Sequence, residues 1–422
     1  MSRRSSTARS STARSSSVRS PSLRSPSPRP SSPRSSSLRP SVPAAPRPRV
    51  PALRHLGPHW YGSVMGTAAV GTAGAALPVH IPGLRTACTA VWALSLVLLA
   101  VLLTARVLHW RHHRDQARAH VLDATAAPFY GCLSMALLAV GGGAQSAGRD
   151  WTGTRAALAV DTALFTAGTV VGLAAAVAVP YLMVVHHRIE PHQATPVWLL
   201  PVVAPMVSAA LGPALVRHLP AGQARETLLL TCVAMFGLSL LATLALLPLI
   251  LGRLIVAGPL PLALTPTLFL VLGPLGQSTT AVGAFADTAR GVVPAPYDTG
   301  FAVFALLYGV PVMGFAVLWF AFAAAQVVRA GRRGMGFAMT WWSFTFPVGT
   351  CVTGASALAR HTHLAVYDAL AVALYAVLVT AWAAAAVHTA RGLVSGSLLA
   401  APAPAPEEPR SARARTTSGA AR

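Results

Sequence analysis

The sequence predicts an all-α integral membrane protein. Ten transmembrane helices form five helical hairpins around a central pore, with the odd helices inside and the even helices outside. Three observations predict this fold. Hydrophobic residues make up 54% of the 422-residue chain and charged residues 10%, whereas soluble domains carry roughly 25% charged residues. Apolar runs of about 20 residues, the length of a membrane-spanning helix, recur along the chain. Glycine and proline are distributed unevenly between alternate runs.

The apolar runs place ten segments within a membrane domain at residues 55–395. They lie near residues 58–78, 84–108, 124–144, 156–184, 194–216, 226–251, 260–283, 299–328, 336–357 and 364–391. Arginine is distributed unequally between alternate connections: 26 arginines lie on the side that includes both termini, and 7 lie on the other side. Because cytoplasmic loops carry the excess of basic residues, we expect both termini in the cytoplasm.

The odd segments contain more helix-perturbing residues than the even ones. The fifth segment has four prolines, including Pro205, whereas segments 2 and 10 have almost no glycine or proline. A break in a helix inside the bilayer needs protein or a water-filled cavity around it, and a smooth apolar helix suits lipid. We therefore expect the odd helices to form the inner ring, with kinks at Pro205, Pro274 and Pro347.

We expect the two tails outside the membrane domain to be disordered and to lie in the cytoplasm. Residues 1–54 are mostly Ser, Arg and Pro, with an arginine at every fifth position from Arg4 to Arg39. This period matches neither a helix nor a strand face, and almost nothing in it can be buried. The segment either attracts anionic lipid or nucleic acid, or is a low-complexity extension. We favour the extension and expect no nucleic-acid partner. Residues 396–422 form the second tail.

Neither a metal nor another cofactor is expected. The four cysteines, Cys88, Cys132, Cys232 and Cys351, lie in or at the edge of apolar segments without the spacing of a zinc site. The histidines of 109–120, HWRHHRDQARAH, fit no defined metal site and favour a basic loop at the membrane surface. The sequence also lacks the motifs of hydrolases, nucleotide-driven pumps and dinucleotide enzymes, so no enzymatic activity is expected.

The ninth segment contains the run 341–354, WWSFTFPVGTCVTG. Pro347 has no N–H, and its ring clashes with the carbonyl group of Ser343, so a helix passing through this run is expected to kink. Phe346 lies beside the kink. These residues fit two interpretations equally well: Phe346 plugs a pore, or it packs in the core of a kinked span.

The seventh segment contains the most polar run within any segment, 273–283, GPLGQSTTAVG. Hydroxyl and amide groups in the inner segments make a polar, uncharged pore lining; the candidates are Thr67, Gln277, Ser278, Thr279, Ser343 and Thr345. The alternative is that the hydroxyl groups bond to carbonyl groups of their own helices or join neighbouring helices.

Four motifs resemble the tellurite-resistance/dicarboxylate transporter family. They are WYGSVMGT at 60–67, PVWLLPVVAPMVSAALG at 196–212, GPLGQS at 273–278 and WWSFTFP at 341–347. The family includes a bacterial tellurite-resistance protein, fungal malate permeases and sulfite efflux pumps, and plant slow anion channels. The resemblance covers about residues 55–395.

This resemblance implies a plasma-membrane homotrimer in which each subunit has its own pore, occluded by Phe346. It also implies a small anion as substrate: a C4-dicarboxylate such as malate, sulfite, or a tellurite-type oxyanion. It leaves open whether the protein is a channel or a proton-coupled carrier. The alternative from another class is a receptor or enzyme built on a ten-helix bundle.

Overall fold

The computed structural model describes residues 54, 56–187 and 193–399. Within these ranges every regular element is helical. The predicted disordered tails lie outside the described residues, except for Arg54 and residues 396–399. Ser397–Leu399 forms a short 3-10 turn, and Leu399 is buried against Leu56 and Trp60.

The long helices alternate between a buried set and a set exposed at the protein surface. The buried set is α1 (Tyr61–Ala75), α4 (Tyr130–Gly143), α7 (Leu199–Leu211), α10 (Leu272–Ala289) and α12 (Phe346–Thr362). The exposed set is α2 (Leu84–His112), α6 (Thr154–Val185), α9 (Gln223–Ala257), α11 (Tyr297–Arg332) and α13 (Ala365–Val394). Three short helices lie between them: α3 (Arg114–Leu122), α5 (Arg149–Thr152) and α8 (Pro213–Val216).

The buried helices form a closed ring, in which α1 contacts α4, α4 contacts α7, α7 contacts α10, α10 contacts α12 and α12 contacts α1. In the spans that contain α4, α7 and α10, 78–89% of the most apolar window is buried, against 22–28% in the exposed set. All but two residues of α1 are buried. Since apolar side chains of the exposed set face outward without protein cover, that set has the character of a lipid-facing layer.

Eight helices in the described part of the chain are long and apolar enough to cross a membrane. They correspond to predicted segments 2–8 and 10, so the chain is a multi-pass membrane protein. The predicted first and ninth segments form α1 and α12, which are not among the helices that combine this length with this apolarity. Both are short and rich in Gly and Thr. A helix enclosed by other helices does not need the apolar surface that lipid demands.

A 3-10 turn precedes each helix of the inner ring. The five turns are Pro58–Trp60, Ala127–Phe129, Pro196–Trp198, Leu262–Val271 and Met339–Phe344. The first four contain a proline, which suits a helix start because the first N–H groups of a helix have no partner within it. The inner helices therefore begin with a tight turn and continue as regular α-helix.

The structure differs from the prediction at Pro347. The 3-10 turn ends at Phe344, Thr345 has φ −90° and ψ −77°, and α12 begins at Phe346. Pro347 thus lies in the first turn of α12, where a missing N–H costs nothing. The chain changes from one helix to another here and does not kink within a single helix. Of the other predicted kink residues, Pro205 lies inside α7 and Pro274 is the third residue of α10.

Glycine permits the closest contacts within the ring. A Cβ atom on Gly131 of α4 would overlap the carbonyl group of Leu200 in α7. A Cβ atom on Gly276 of α10 would overlap the backbone nitrogen of Cys351 in α12. Because backbone atoms cannot rotate away as side chains do, only glycine allows these helices to pack at this distance.

Candidate functional site

A cavity of about 420 Å³ lies within the inner ring and is lined by all five of its helices. At roughly 30 Å³ per water molecule, this space holds a small anion with part of its hydration shell. The uncharged polar side chains that line it are Thr72, Gln145, Ser146, Gln277, Thr280, Thr350 and Thr353. Hydroxyl and amide groups can both donate hydrogen bonds, so the lining suits an anionic ligand.

Two of these residues connect neighbouring helices at the cavity wall. The hydroxyl oxygens of Thr280 and Thr353 lie 2.7 Å apart, which joins α10 to α12. The hydroxyl group of Thr350 donates to the carbonyl group of Pro347 at 2.7 Å. The side chain of Gln277 is 5% exposed and makes no hydrogen bond to any residue that the structure describes. Its amide therefore remains available to a ligand in the cavity.

Three arginines, Arg85, Arg149 and Arg217, also line the cavity, together with one carboxylate, Asp161. The guanidinium group of Arg85 donates from Nη2 to Oδ1 of Asp150 at 2.9 Å, so this arginine is partly neutralised. The charges that line the cavity nevertheless sum to a positive value, which attracts anions from solution.

Asp161 is a buried acid beside the cavity. Its residue is 3% exposed, and Oδ2 accepts a hydrogen bond of 2.9 Å from Nε2 of Gln145. The partner of this carboxylate is therefore a neutral amide in the interior.

Phe346 separates this cavity from a second, much smaller space. Phe346 is 6% exposed and also lines an apolar pocket of about 10 Å³ together with Met65, Met135, Leu270 and other apolar side chains. That volume is at the lower limit for a single water molecule. The large cavity uses later turns of the inner helices and the small pocket uses earlier turns. The ring of Phe346 therefore lies where the polar space ends along the axis.

Of the predicted site residues, Gln277 and Phe346 line the cavity. The other five predicted lining residues are buried but do not line it: Thr67, Ser278, Thr279, Ser343 and Thr345. Most of their hydroxyl groups bond within their own helix, as the alternative interpretation expects. Thr67 donates to the carbonyl group of Ser63 at 2.7 Å and accepts a bond from the Trp382 indole at 3.1 Å.

Helical spacing identifies the lining residues that the sequence analysis missed. Residues three or four apart share a helix face, so Gln277 shares its face with Thr280 rather than with Ser278 or Thr279. In the same way Phe346 shares its face with Thr350 and Thr353. Asp161 and Gln145 carry no comparable sequence signal, because they meet only through packing of the chain after α4 against α6.

A membrane-embedded ring of helices around a polar, positively charged cavity defines a membrane transport protein for anions. Residues 55–390 match the voltage-dependent anion channel family, SLAC1, and the chain belongs to this family. This confirms the family relationship that the motifs predicted.

Relatives cover most of the chain at low identity. An uncharacterized transporter of Methanocaldococcus jannaschii is 23% identical over 352 residues, which are 82% of this chain and 96% of the relative. The sulfite efflux pump of Arthroderma otae is 24% identical over 348 residues, or 78% of this chain and 89% of the relative. The sulfite efflux pump of Trichophyton rubrum has the same identity and coverage. These names describe transporters and channels, not enzymes.

Proposed function

We propose that this protein moves small oxyanions across the plasma membrane, with sulfite as the first candidate, through a pore in each subunit that Phe346 occludes. The observation that carries this proposal is the position of Phe346 between a polar, basic cavity and a closed apolar pocket. Sulfite is favoured because two relatives bear the name of sulfite efflux pumps. A C4-dicarboxylate such as malate and a tellurite-type oxyanion are the other candidates.

The cavity attracts the anion and the aromatic ring blocks it. Arginines at the cavity wall raise the local anion concentration, and Gln277 with the threonine hydroxyl groups replaces part of the hydration shell. The ring of Phe346 offers no donor, so an anion must lose water there without compensation. That loss creates a barrier of the dewetting kind.

We further propose ten spans in five hairpins, with both termini cytoplasmic, assembled as a homotrimer. Each inner helix contacts the outer helix that follows it in the chain, which supports the hairpins. The arginine distribution supports the orientation, and the resemblance to the transporter family supports the trimer. The lining residues Thr67, Ser278, Thr279, Ser343 and Thr345 are replaced in this proposal by Thr72, Thr280, Thr350 and Thr353.

The test measures anion uptake in proteoliposomes for wild type, Phe346→Ala and Phe344→Ala, with sulfite, malate, tellurite, nitrate and chloride. If Phe346 forms the barrier, its removal raises flux per folded subunit about tenfold, equivalent to about 1.4 kcal/mol of barrier. Phe344 is the matched control. Its ring packs edge-on against Phe269 at 5.0 Å, so truncation is expected to lower thermal stability and leave flux per folded subunit unchanged.

If a folded Phe346→Ala variant shows wild-type or lower flux, Phe346 does not form the barrier in the pore. Absence of uptake for every anion in both wild type and Phe346→Ala contradicts the transport proposal itself.

A further inference from the structure

A second large cavity, of about 510 Å³, is separate from the central cavity and lies between α2, α3 and the first turns of α1 and α4. Four arginines line it: Arg106, Arg111, Arg114 and Arg118. Among the residues that the structure describes, no carboxylate lines it. Because α2 ends at His112 and α3 begins at Arg114, this cavity lies at the membrane edge on the side that carries the arginine excess.

The cavity has an apolar half and a basic half. Leu103 and Val107 line the cavity on α2 before Arg111, and Val107 is 51% exposed although strongly apolar. Trp110 also lines the cavity and is 38% exposed. Tryptophan concentrates at the boundary between acyl chains and headgroups. The apolar half therefore lies at the depth of lipid chains, and Arg111, Arg114 and Arg118 lie at the depth of headgroups.

Three of the arginines are available to a ligand. Among the residues that the structure describes, Arg111, Arg114 and Arg118 make neither an ion pair nor a side-chain hydrogen bond. The one acid of α3, Asp115, bonds instead to Arg54 at 2.8 Å. The backbone N–H of Gln116, with a smaller contribution from Arg54, lowers the pKa of the Asp115 carboxyl group. The Asp115 carboxylate thus stays ionised and pairs with Arg54 rather than with the arginines of the cavity.

Arg106 is fixed in place deeper in the cavity wall. Its Nη1 donates to the carbonyl group of Leu56 at 3.2 Å, and its guanidinium group lies 5.2 Å from the centre of the Tyr130 ring. Nη2 also donates to the hydroxyl group of Tyr130. The residue is 8% exposed. This guanidinium group is therefore a pre-positioned positive charge at the base of the cavity.

An independent observation comes from Tyr61, which also lines this cavity. Tyr61 is 3% exposed, and its hydroxyl group finds no hydrogen-bond partner within the described ranges. A buried hydroxyl group without a partner is costly and rare. The hydroxyl oxygen is itself buried, so a ligand oxygen would accept its hydrogen bond after a small side-chain shift opens the inner wall of the cavity.

We propose that this cavity binds an anionic phospholipid of the cytoplasmic leaflet through its phosphate group. Guanidinium groups match phosphate oxygens in pairs, and the hydroxyl group of Tyr61 supplies one further donor. The apolar half receives the upper part of an acyl chain, which free phosphate lacks. This site does not depend on the transport proposal, since binding is measured without flux.

The test is native mass spectrometry of the full chain, taken from bilayer nanodiscs that contain equal amounts of phosphatidylglycerol and phosphatidylcholine. Wild type is expected to retain phosphatidylglycerol at least about tenfold over phosphatidylcholine. The triple variant Arg111→Gln, Arg114→Gln, Arg118→Gln is expected to lose this preference. The control variant Arg329→Gln, Arg332→Gln, Arg333→Gln removes the same charge from the end of α11 and is expected to keep it.

Two further arms separate the lipid from other causes. Tyr61→Phe, which removes one oxygen, is expected to lower phosphatidylglycerol retention about threefold at unchanged thermal stability. Inorganic phosphate at 10-fold excess over the lipid is expected not to displace it. The proposal is overturned if wild type shows no lipid preference, if both triple variants behave alike, if Tyr61→Phe retains as much lipid as wild type, or if inorganic phosphate displaces the lipid.

Discussion

The hydroxyl groups of Thr280 and Thr353 lie 2.7 Å apart, at a point where α10 and α12 both reach the central cavity. Each oxygen also lies 3.0 Å from a carbonyl oxygen of its own helix, that of Gly276 or Thr350. The pair therefore links two helices of the inner ring while presenting polar atoms to the cavity.

Replacing Thr353 with valine removes one side of this link. We expect the free energy of unfolding to fall by about 0.5–1.5 kcal/mol, the usual contribution of one hydrogen bond. The Thr280→Val and double variants complete a double-mutant cycle, measured by chemical unfolding in detergent. If the loss of unfolding free energy in the double variant equals the sum of the two single losses, the proposed link between the two hydroxyl groups is contradicted. Thr104→Val is the control, because Thr104 is exposed and bonds only to Ala100 of its own helix.

Asp161→Asn removes the carboxylate charge from the cavity and keeps an oxygen that can accept the bond from Gln145. If anions occupy the cavity, the loss of repulsion lowers the half-saturating anion concentration about fivefold, since charges in a partly buried site interact by about 1 kcal/mol or more. Uptake against anion concentration measures this. Asp368→Asn, outside the cavity on α13, serves as the control. A higher half-saturating concentration in Asp161→Asn contradicts the expectation.

Gly276→Ala tests the packing of the ring. The added methyl group would overlap the backbone of α12 at Thr350 and Cys351, so we expect a stability loss of about 1–3 kcal/mol or more and a lower folded yield. Gly273, one turn earlier on the same helix, has open space at its Cβ position. Gly273→Ala should therefore fold like wild type, and fluorescence-detected size exclusion with a thermal ramp compares the two. Equal stability of the two variants argues against the close contact.

The topology can be checked with reporters. Because 26 arginines lie on the side of the termini and 7 on the other, tags at either terminus should be cytoplasmic, and a reporter inserted after residue 288 should be extracytoplasmic. Cysteine accessibility or a phosphatase fusion reports the side. Detection of the terminal and internal sites on the same side would falsify the ten-span arrangement.

The sequence predicted the features that depend on composition and missed those that depend on contacts. Gly and Pro in alternate segments predicted which helices are buried, because a helix with breaks needs protein around it. Pro347 illustrates the limit: proline excludes a regular helix interior, but a kinked helix and a helix start satisfy this equally. The choice between a kinked helix and a helix start depends on contacts: Thr345 packs against Gly66 of α1, and a 3-10 turn ends just before it at Phe344.

The residues of the candidate site divide in the same way, into those that local sequence indicates and those that depend on contacts. Phe346 and Gln277, which line the cavity, were predicted because each stands beside a conspicuous proline or glycine break. Thr280, Thr350 and Thr353 were missed because the helix faces that they share with Gln277 and Phe346 were not followed at a spacing of three or four residues. Asp161 was not among the predicted site residues, since the sequence does not reveal that Gln145 lies 2.9 Å from it.

The weak apolarity of α1 and α12 has a consequence for how the protein is made. Neither helix is hydrophobic enough by itself to partition from the translocon into lipid with the ease of its neighbours. Each is followed at once by a strongly apolar helix, α2 or α13, which it contacts. We expect each pair to enter the membrane together. Shortening α2 or α13 would therefore leave the preceding inner helix outside the bilayer during synthesis.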